Sequence, residues 1–356
     1  MLSSKLKKWL LLILLLVLVL TGLLCAVSIY IYHDTFDRRS ESYEPLMFDP
    51  GDFEGLICEE LSFCSDKGQR LAAYLYHIGD EQRGMVVMAH GYGGGGHNSY
   101  MDAAAYFAAH GYYVFAYDAT GTDKSEGSAA GGLPQGVIDL DHALSFIEQR
   151  GLPIVLFGHS WGGYCVSSVL AFHPEVKAVI EVSGFNRSSD LFEYQGKKMI
   201  GGGIYLLTPF FKGYERLRYG KYAAATALDG FAASDAAVMV VHGLDDQDVP
   251  ASYGLDRFYE KYQSDSRFRF LSFENRGHSD ILIDPENTYK DEFNEAFYAW
   301  RETLGYDYQE KENAERYSHD RTAYIREHLD HARWSHRLDE SLFAGFVSFF
   351  DEHIRS

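Results

Sequence analysis

Read for apolar and polar positions, the chain opens on one long apolar run, then a hairpin, then a repeating strand-and-helix rhythm. Apolar runs over 57–63 and 70–76 flank Ser65-Asp66-Lys67-Gly68 and predict the opening hairpin. Short runs over 85–89, 112–117, 153–157, 177–182, 236–241 and 268–273 have the composition of buried strands. Helical patterning over 100–110, 137–150 and 164–172 separates the earlier ones. This alternation predicts an α/β fold, with a mostly parallel central sheet covered by helices on both faces. No repeat is visible.

Two stretches interrupt the rhythm. Residues 186–234 predict a helical cap insert, and 281–335, rich in charge and tyrosine, predict a second helical insert of two helices. The terminal helix over 342–353 then returns to the core. Residues 33–55 carry Pro45, Pro50 and Gly51 and read as a linker to a domain over 56–356.

The first apolar run, 9–32, exceeds the roughly 20 residues that cross a bilayer. Lys5, Lys7 and Lys8 precede it, so 1–8 is expected in the cytoplasm and the domain outside the cell membrane, behind a single-pass signal anchor. Arg38 and Arg39 oppose that orientation, but Asp34, Asp37 and Glu41 surround them. Cleavage after Ala26-Val27-Ser28 is the competing reading.

Composition narrows the partners. The 356 residues carry a formal net charge of -19, which argues against nucleic acid, since phosphate binding needs clustered Lys and Arg. Apolar residues at 46% support a large core. Of the four cysteines, Cys58 and Cys64 either pair in an exported domain or stay free. His328 and His331 share a helical face near His336, but no Cys or tight carboxylate cluster accompanies them, so no metal is expected.

Candidate chemistry centres on Gly158-His159-Ser160-Trp161-Gly162-Gly163, a G-x-S-x-G turn between a strand and a helix. A serine there sits on a sharp, strained turn with its hydroxyl clear of the sheet. Its base and orienting acid are expected after later strands, in the order Ser, acid, His. The strand over 236–241 runs into His242-Gly243-Leu244-Asp245-Asp246-Gln247-Asp248-Val249-Pro250, where Asp246 is the first choice, ahead of Asp245 and Asp248. The strand over 268–273 leads to Gly277-His278. Among 15 histidines, His278 is singled out by its place in that order. The loop His90-Gly91-Tyr92-Gly93 follows the strand over 85–89, and the backbone N–H groups of Tyr92 and Trp161 are the expected oxyanion donors.

Gly91, Gly93 and Gly96 also satisfy G-x-G-x-x-G, with Asp118 placed like a ribose-binding acid, which is the rival reading of a nicotinamide-dependent oxidoreductase. That reading leaves the serine turn and both later loops unexplained. In the cap, Tyr205, Leu206 and Phe210 lie in an apolar stripe beside Gly201-Gly202-Gly203. The stripe is either the underside of a lid that takes an acyl chain or simple packing. With Gly91, these three are the candidate substrate contacts.

These motifs resemble the α/β-hydrolase superfamily, most of all its serine aminopeptidase, lysophospholipase and monoacylglycerol-lipase group. The matching residues are His90-Gly91, the turn at 158–163, Asp246 in H-G-x-x-D-x-x-V-P, and Gly277-His278. The loop at 118–127 is similar to that group's D-x-R-G-x-G-x-S-x-G, with Thr120 at the arginine position and Asp123 or Thr122 at the second glycine. The resemblance covers roughly 56–280 and the last helix. It implies an α/β-hydrolase fold and a cofactor-free Ser160–His278–Asp246 mechanism on a small-molecule or lipid ester, with peptide N-termini as the alternative substrate. A non-catalytic, membrane-tethered interaction protein is the reading from another class.

Overall fold

Uniformly apolar strands belong in the middle of a parallel sheet, where both faces are covered. In the computed structural model, which describes residues 3–80 and 82–354, four strands do this. They are β3 (Met85–Ala89), β5 (Ile154–His159), β6 (Ala178–Val182) and β7 (Ala237–Gly243), each almost wholly buried. With β1 (Ile57–Cys64), β2 (Arg70–His77), β4 (Tyr113–Tyr117) and β8 (Phe268–Phe273) they form one sheet, ordered β1-β2-β4-β3-β5-β6-β7-β8. Only β2 runs antiparallel to its neighbours; the pairs from β4 to β8 are parallel.

Successive side chains point to opposite faces, so each strand feeds two cores. Val87, Leu156, Val179 and Val238 join the core on one face. It is closed by α3 (Pro134–Ile147), α4 (Trp161–Ser168), α8 (Ala227–Ala233) and α9 (Leu255–Tyr262). Val86, Phe157, Ile180 and Met239 join the core on the other face, under α2 (Met101–Ala109) and α13 (Glu340–His353). α3 begins earlier than the periodicity suggests because Pro134 suits a first helical turn. α13 begins where the Asp339 side chain accepts the Leu342 N–H at 2.9 Å.

The cap holds α5 (Ser188–Ile200), α6 (Ile204–Tyr219) and the short α7 (Lys221–Ala224). The second insert holds α10 (Tyr289–Arg301), α11 (Ala314–His328) and α12 (His331–Ser335), one short helix more than the pattern suggested. Tyr289, Phe293, Ile325 and Leu329 give it a small core of its own, packed on Tyr43 and Leu46. Within it, His328 stacks on Tyr324 with centroids 4.1 Å apart, and its Nδ1 bonds the Tyr324 carbonyl.

The N-terminal region differs most from expectation. α1 (Ser4–Phe36) is the one helix among the described residues long and apolar enough to cross a membrane. It continues past residue 32, because its last turns pack on α6 rather than ending at a bilayer surface. Residues 33–55, expected as a linker, are stitched to the domain. The Arg39 guanidinium donates to the Ser125 and Gly127 carbonyls at 3.0 and 2.8 Å, and Ser42 donates twice to the Asp123 carboxylate. Polar side chains at 39–42 did not signal this, since their partners lie some eighty residues away. Cys58 and Cys64 stand near opposite ends of β1, about 20 Å apart at strand rise, and are free thiols. Residues 1 and 2 of the expected cytoplasmic segment 1–8, and 355 and 356 of the expected domain, lie outside the described residues.

Candidate active site

The turn from β5 into α4 places Ser160 at φ 59° and ψ -118°, a backbone conformation that side chains rarely adopt. It is held there because the Ser160 N–H donates to the Val182 carbonyl at 2.8 Å. The turn is tight enough that a Cβ on Gly162 would overlap the Ala89 carbonyl oxygen. Strain at one serine is thus fixed by the strands on either side of β5.

The loops after β7 and β8 come to the same sheet edge. The Ser160 Oγ lies 2.9 Å from His278 Nε2, and His278 Nδ1 lies 2.6 Å from Asp246 Oδ2. A carboxylate only accepts, so Nδ1 carries the ring proton and Nε2 is left to accept from the serine hydroxyl. The other Asp246 oxygen accepts the Asp248 and Val249 amides at 2.9 and 2.8 Å. Burial works to raise the Asp246 carboxyl, but the His278 ring and those two amides outweigh it and hold it below its usual range. Asp246 is therefore charged at neutral pH.

The two competing aspartates stand elsewhere. Asp245 is exposed and accepts the Arg276 and Gly277 amides at 3.2 and 3.1 Å, so it shapes the histidine loop from outside. Asp248 is exposed.

On the other side of the serine, α4 begins at Trp161, so its N–H is among those a helix leaves without an internal acceptor. The Trp161 ring is core, with Nε1 donating to the Leu133 carbonyl at 2.8 Å. Gly91 lies beside the serine: a Cβ there would sit 3.7 Å from the Ser160 Cβ and too close to the Tyr100 hydroxyl. The Gly91 N–H is already used, donating to that hydroxyl at 3.2 Å, which leaves the next amide, that of Tyr92.

Motif reading missed the residues that brace this edge. The His159 Nε2–H donates to the His278 carbonyl at 2.9 Å, so its Nδ1 accepts from the Tyr100 hydroxyl at 2.8 Å. One chain of bonds thus joins the Gly91 amide, Tyr100, His159 and the His278 loop. Burial, helped by the nearby His278, pushes the His159 imidazole down to about 3, so it stays neutral and keeps that direction. His242, also buried, donates to the Val249 carbonyl at 2.8 Å and supports the Asp246 loop. Their sequence signals were a histidine inside G-x-S-x-G and the histidine that opens H-G-x-x-D-x-x-V-P.

The remaining candidates separate. An apolar cavity of about 250 Å³ lies against Tyr92, walled by the end of α1, Leu133, α5 and Ile204. Tyr205 and Leu206 do not line it; they point outward, 53% and 64% exposed, and Phe210 is also absent from its wall. Helical geometry explains the correction: the inward face of α6 carries Ile204, Leu207 and Phe211, and the expected stripe ran around the helix. No side chain of the second insert lines this cavity. A larger concavity of about 620 Å³, between Phe53, Tyr106 and Leu338, contains none of Ser160, Asp246, His278 or Tyr92. Asp118, the ribose-binding acid of the rival reading, is fully buried and occupied by the His97 backbone and ring at 3.0 and 2.7 Å.

Residues 80–205 match the family model described as "Serine aminopeptidase, S33". No curated protein sequence matches the chain significantly. Among solved structures, it is similar to the Pyrococcus furiosus esterase Pf2001, at 16% identity and a TM-score of 0.51 over 70% of this chain and 91% of that one. A second crystal form of that esterase gives 17% and 0.52 over 70% and 92%. Acetyl xylan esterase 1 from Thermoanaerobacterium sp. aligns at 19% and 0.48, over 68% and 83%. The sheet order, the strained serine turn and the family match agree: this chain has an α/β-hydrolase fold and is similar over 80–205 to the serine aminopeptidase S33 family of serine hydrolases.

Proposed function

We propose that the chain is a membrane-anchored serine esterase acting on apolar acyl substrates. Ser160 is the nucleophile, His278 the general base and acid, and Asp246 the carboxylate that fixes the His278 tautomer. The observation that carries this is the unbroken line Ser160 Oγ, His278, Asp246, at 2.9 and 2.6 Å.

Ser160 Oγ attacks the ester carbonyl carbon while its proton passes to His278 Nε2. The carbonyl oxygen becomes an oxyanion held by the Tyr92 and Trp161 amides, each such donor contributing about 3–4 kcal/mol to the transition state. Collapse expels the alcohol, which takes the proton from Nε2, and leaves an acyl-serine. Water, deprotonated by His278, then releases the acid and restores the serine. None of these steps requires a metal or organic cofactor.

The apolar cavity beside Tyr92 favours an apolar acyl group. The peptidase alternative needs a carboxylate free to hold an α-amino group. Two candidate cap acids are engaged, Asp190 with Arg257 at 2.6 Å and Glu193 with Lys212 at 3.6 Å. Anchoring is favoured over cleavage because α1 packs on the cap beyond residue 24. The lysines before the span favour the extracytoplasmic side for the domain.

A fluorophosphonate probe is expected to label the wild type and not Ser160→Ala, and p-nitrophenyl esters of increasing chain length to be cleaved in preference to aminoacyl-nitroanilides. Equal labelling of the two proteins would reject Ser160 as nucleophile. Faster cleavage of the anilides would replace the esterase by the peptidase.

A further inference from the structure

The end of α1 is part of the wall of the apolar cavity beside Tyr92, and a membrane tether alone does not require that. Ser28 Oγ donates to the Leu207 carbonyl at 3.2 Å, and Tyr32 is fully buried among the rings of Phe36, Phe211 and Tyr214. His33 Nε2 and the Tyr214 hydroxyl are 2.7 Å apart. One turn apart on the same face, Ile31 and Thr35 open onto the cavity with Phe36, opposite Phe192 and Ile204 of the cap. Another part of the wall is Tyr92, whose hydroxyl donates to the Thr35 carbonyl at 3.1 Å and whose ring meets Phe36 edge-on.

Depth follows from the helix itself. About 20 residues cross the hydrocarbon core. Counted from Trp9, that span ends near Ser28, the first residue of α1 buried against the cap. Ile31 to Phe36 then stand roughly 5–12 Å further out at 1.5 Å per residue, at the level of the lipid headgroups. Met199 and Ile200, on the cavity's rim, are 80% and 50% exposed, and Tyr205 and Leu206 extend the apolar tip of the cap beside them. An apolar tip at that depth meets lipid rather than water.

We infer that anchor and cap together form an acyl-binding site that opens toward the bilayer and takes the chain of a membrane-resident lipid ester directly from the leaflet. This rests on the esterase reading above. Taking a methylene as comparable to the roughly 30 Å³ that a water occupies in the liquid, the 250 Å³ cavity accepts about eight.

The test uses the full-length protein in nanodiscs and alkyl fluorophosphonates of two to sixteen carbons. In the wild type, the second-order labelling rate is expected to rise by up to about fourfold per methylene, levelling near eight carbons. Ile31→Trp and Thr35→Trp are expected to end that rise several carbons earlier, while Leu217→Trp, on an 88% exposed side chain, keeps the wild-type profile. An unchanged profile in both cavity variants overturns the inference. Should neither variant fold, a long-chain probe with a terminal diazirine is crosslinked to the wild type. Adducts within 28–36 and 192–204 support the site, and adducts only elsewhere overturn it. A wild type that no probe labels counts instead against the serine hydrolase chemistry.

Discussion

Asp246→Asn changes the charge and one donor while keeping the side chain's shape, so it isolates what the carboxylate does. Asp246 Oδ1 accepts two backbone amides, from Asp248 and Val249, and Oδ2 accepts from His278 Nδ1. An asparagine has one acceptor oxygen and one NH2 group. Turning the NH2 toward the two amides would leave both donors unpaired, at about 1–3 kcal/mol for the buried Val249 amide and less for the part-buried Asp248 amide. The carbonyl oxygen therefore stays on the amides and the NH2 faces His278. Nδ1 must then accept, the ring proton moves to Nε2, and Nε2 can no longer take the Ser160 proton. A triad held in the wrong tautomer loses about 10⁴-fold in kcat, equivalent to about 5 kcal/mol of barrier. Global stability should fall far less, by about 1–2 kcal/mol for the lost charge-assisted bond. The assay is hydrolysis of a short p-nitrophenyl ester beside urea unfolding of the same variant. A fall in kcat below tenfold with the fold intact would refute the tautomer reasoning and move the role of acid to another residue.

His159→Phe should leave the Tyr100 hydroxyl and the His278 carbonyl without their buried partner, at about 1–3 kcal/mol each. The expected outcome is a loss of roughly 2–4 kcal/mol in denaturant unfolding together with a lower kcat, and an unchanged kcat would show that His159 does not hold the His278 loop. Glu181, opposite Gly158 in the sheet, is fully buried, and burial lifts its carboxyl to about 8 against a smaller pull from the Gly184 amide. The folded state therefore holds its proton above the ordinary value of 4.5, and its contribution to stability is complete below about pH 4.5 and lost as pH rises through about 8. Glu181→Gln should flatten the decline in unfolding free energy between pH 5 and 8, read by urea denaturation, by at most about 1.4 kcal/mol per pH unit. Glu215, also raised to about 8 by burial, leaves part of the slope in place. Parallel wild-type and variant curves would place the Glu181 proton elsewhere.

The sequence alone determined the strand-and-helix order, the parallel sheet and the three loops that carry Ser160, Asp246 and His278. These are local features: strand runs, a glycine-flanked turn and a short motif after each strand are set by neighbouring residues and survive without knowledge of their partners. Which of three adjacent aspartates turns inward was settled by the tertiary structure, through the two amides that receive Asp246. The same holds for His159, whose neutral tautomer depends on Tyr100 and His278, one of them 59 and the other 119 residues away. Tertiary structure also turned Tyr205 and Leu206 outward and made Ile31, Thr35 and Phe36 part of the wall of the apolar cavity. That wall joins α1 to helices more than 150 residues further on, and long-range packing of this kind leaves no periodic trace in the chain.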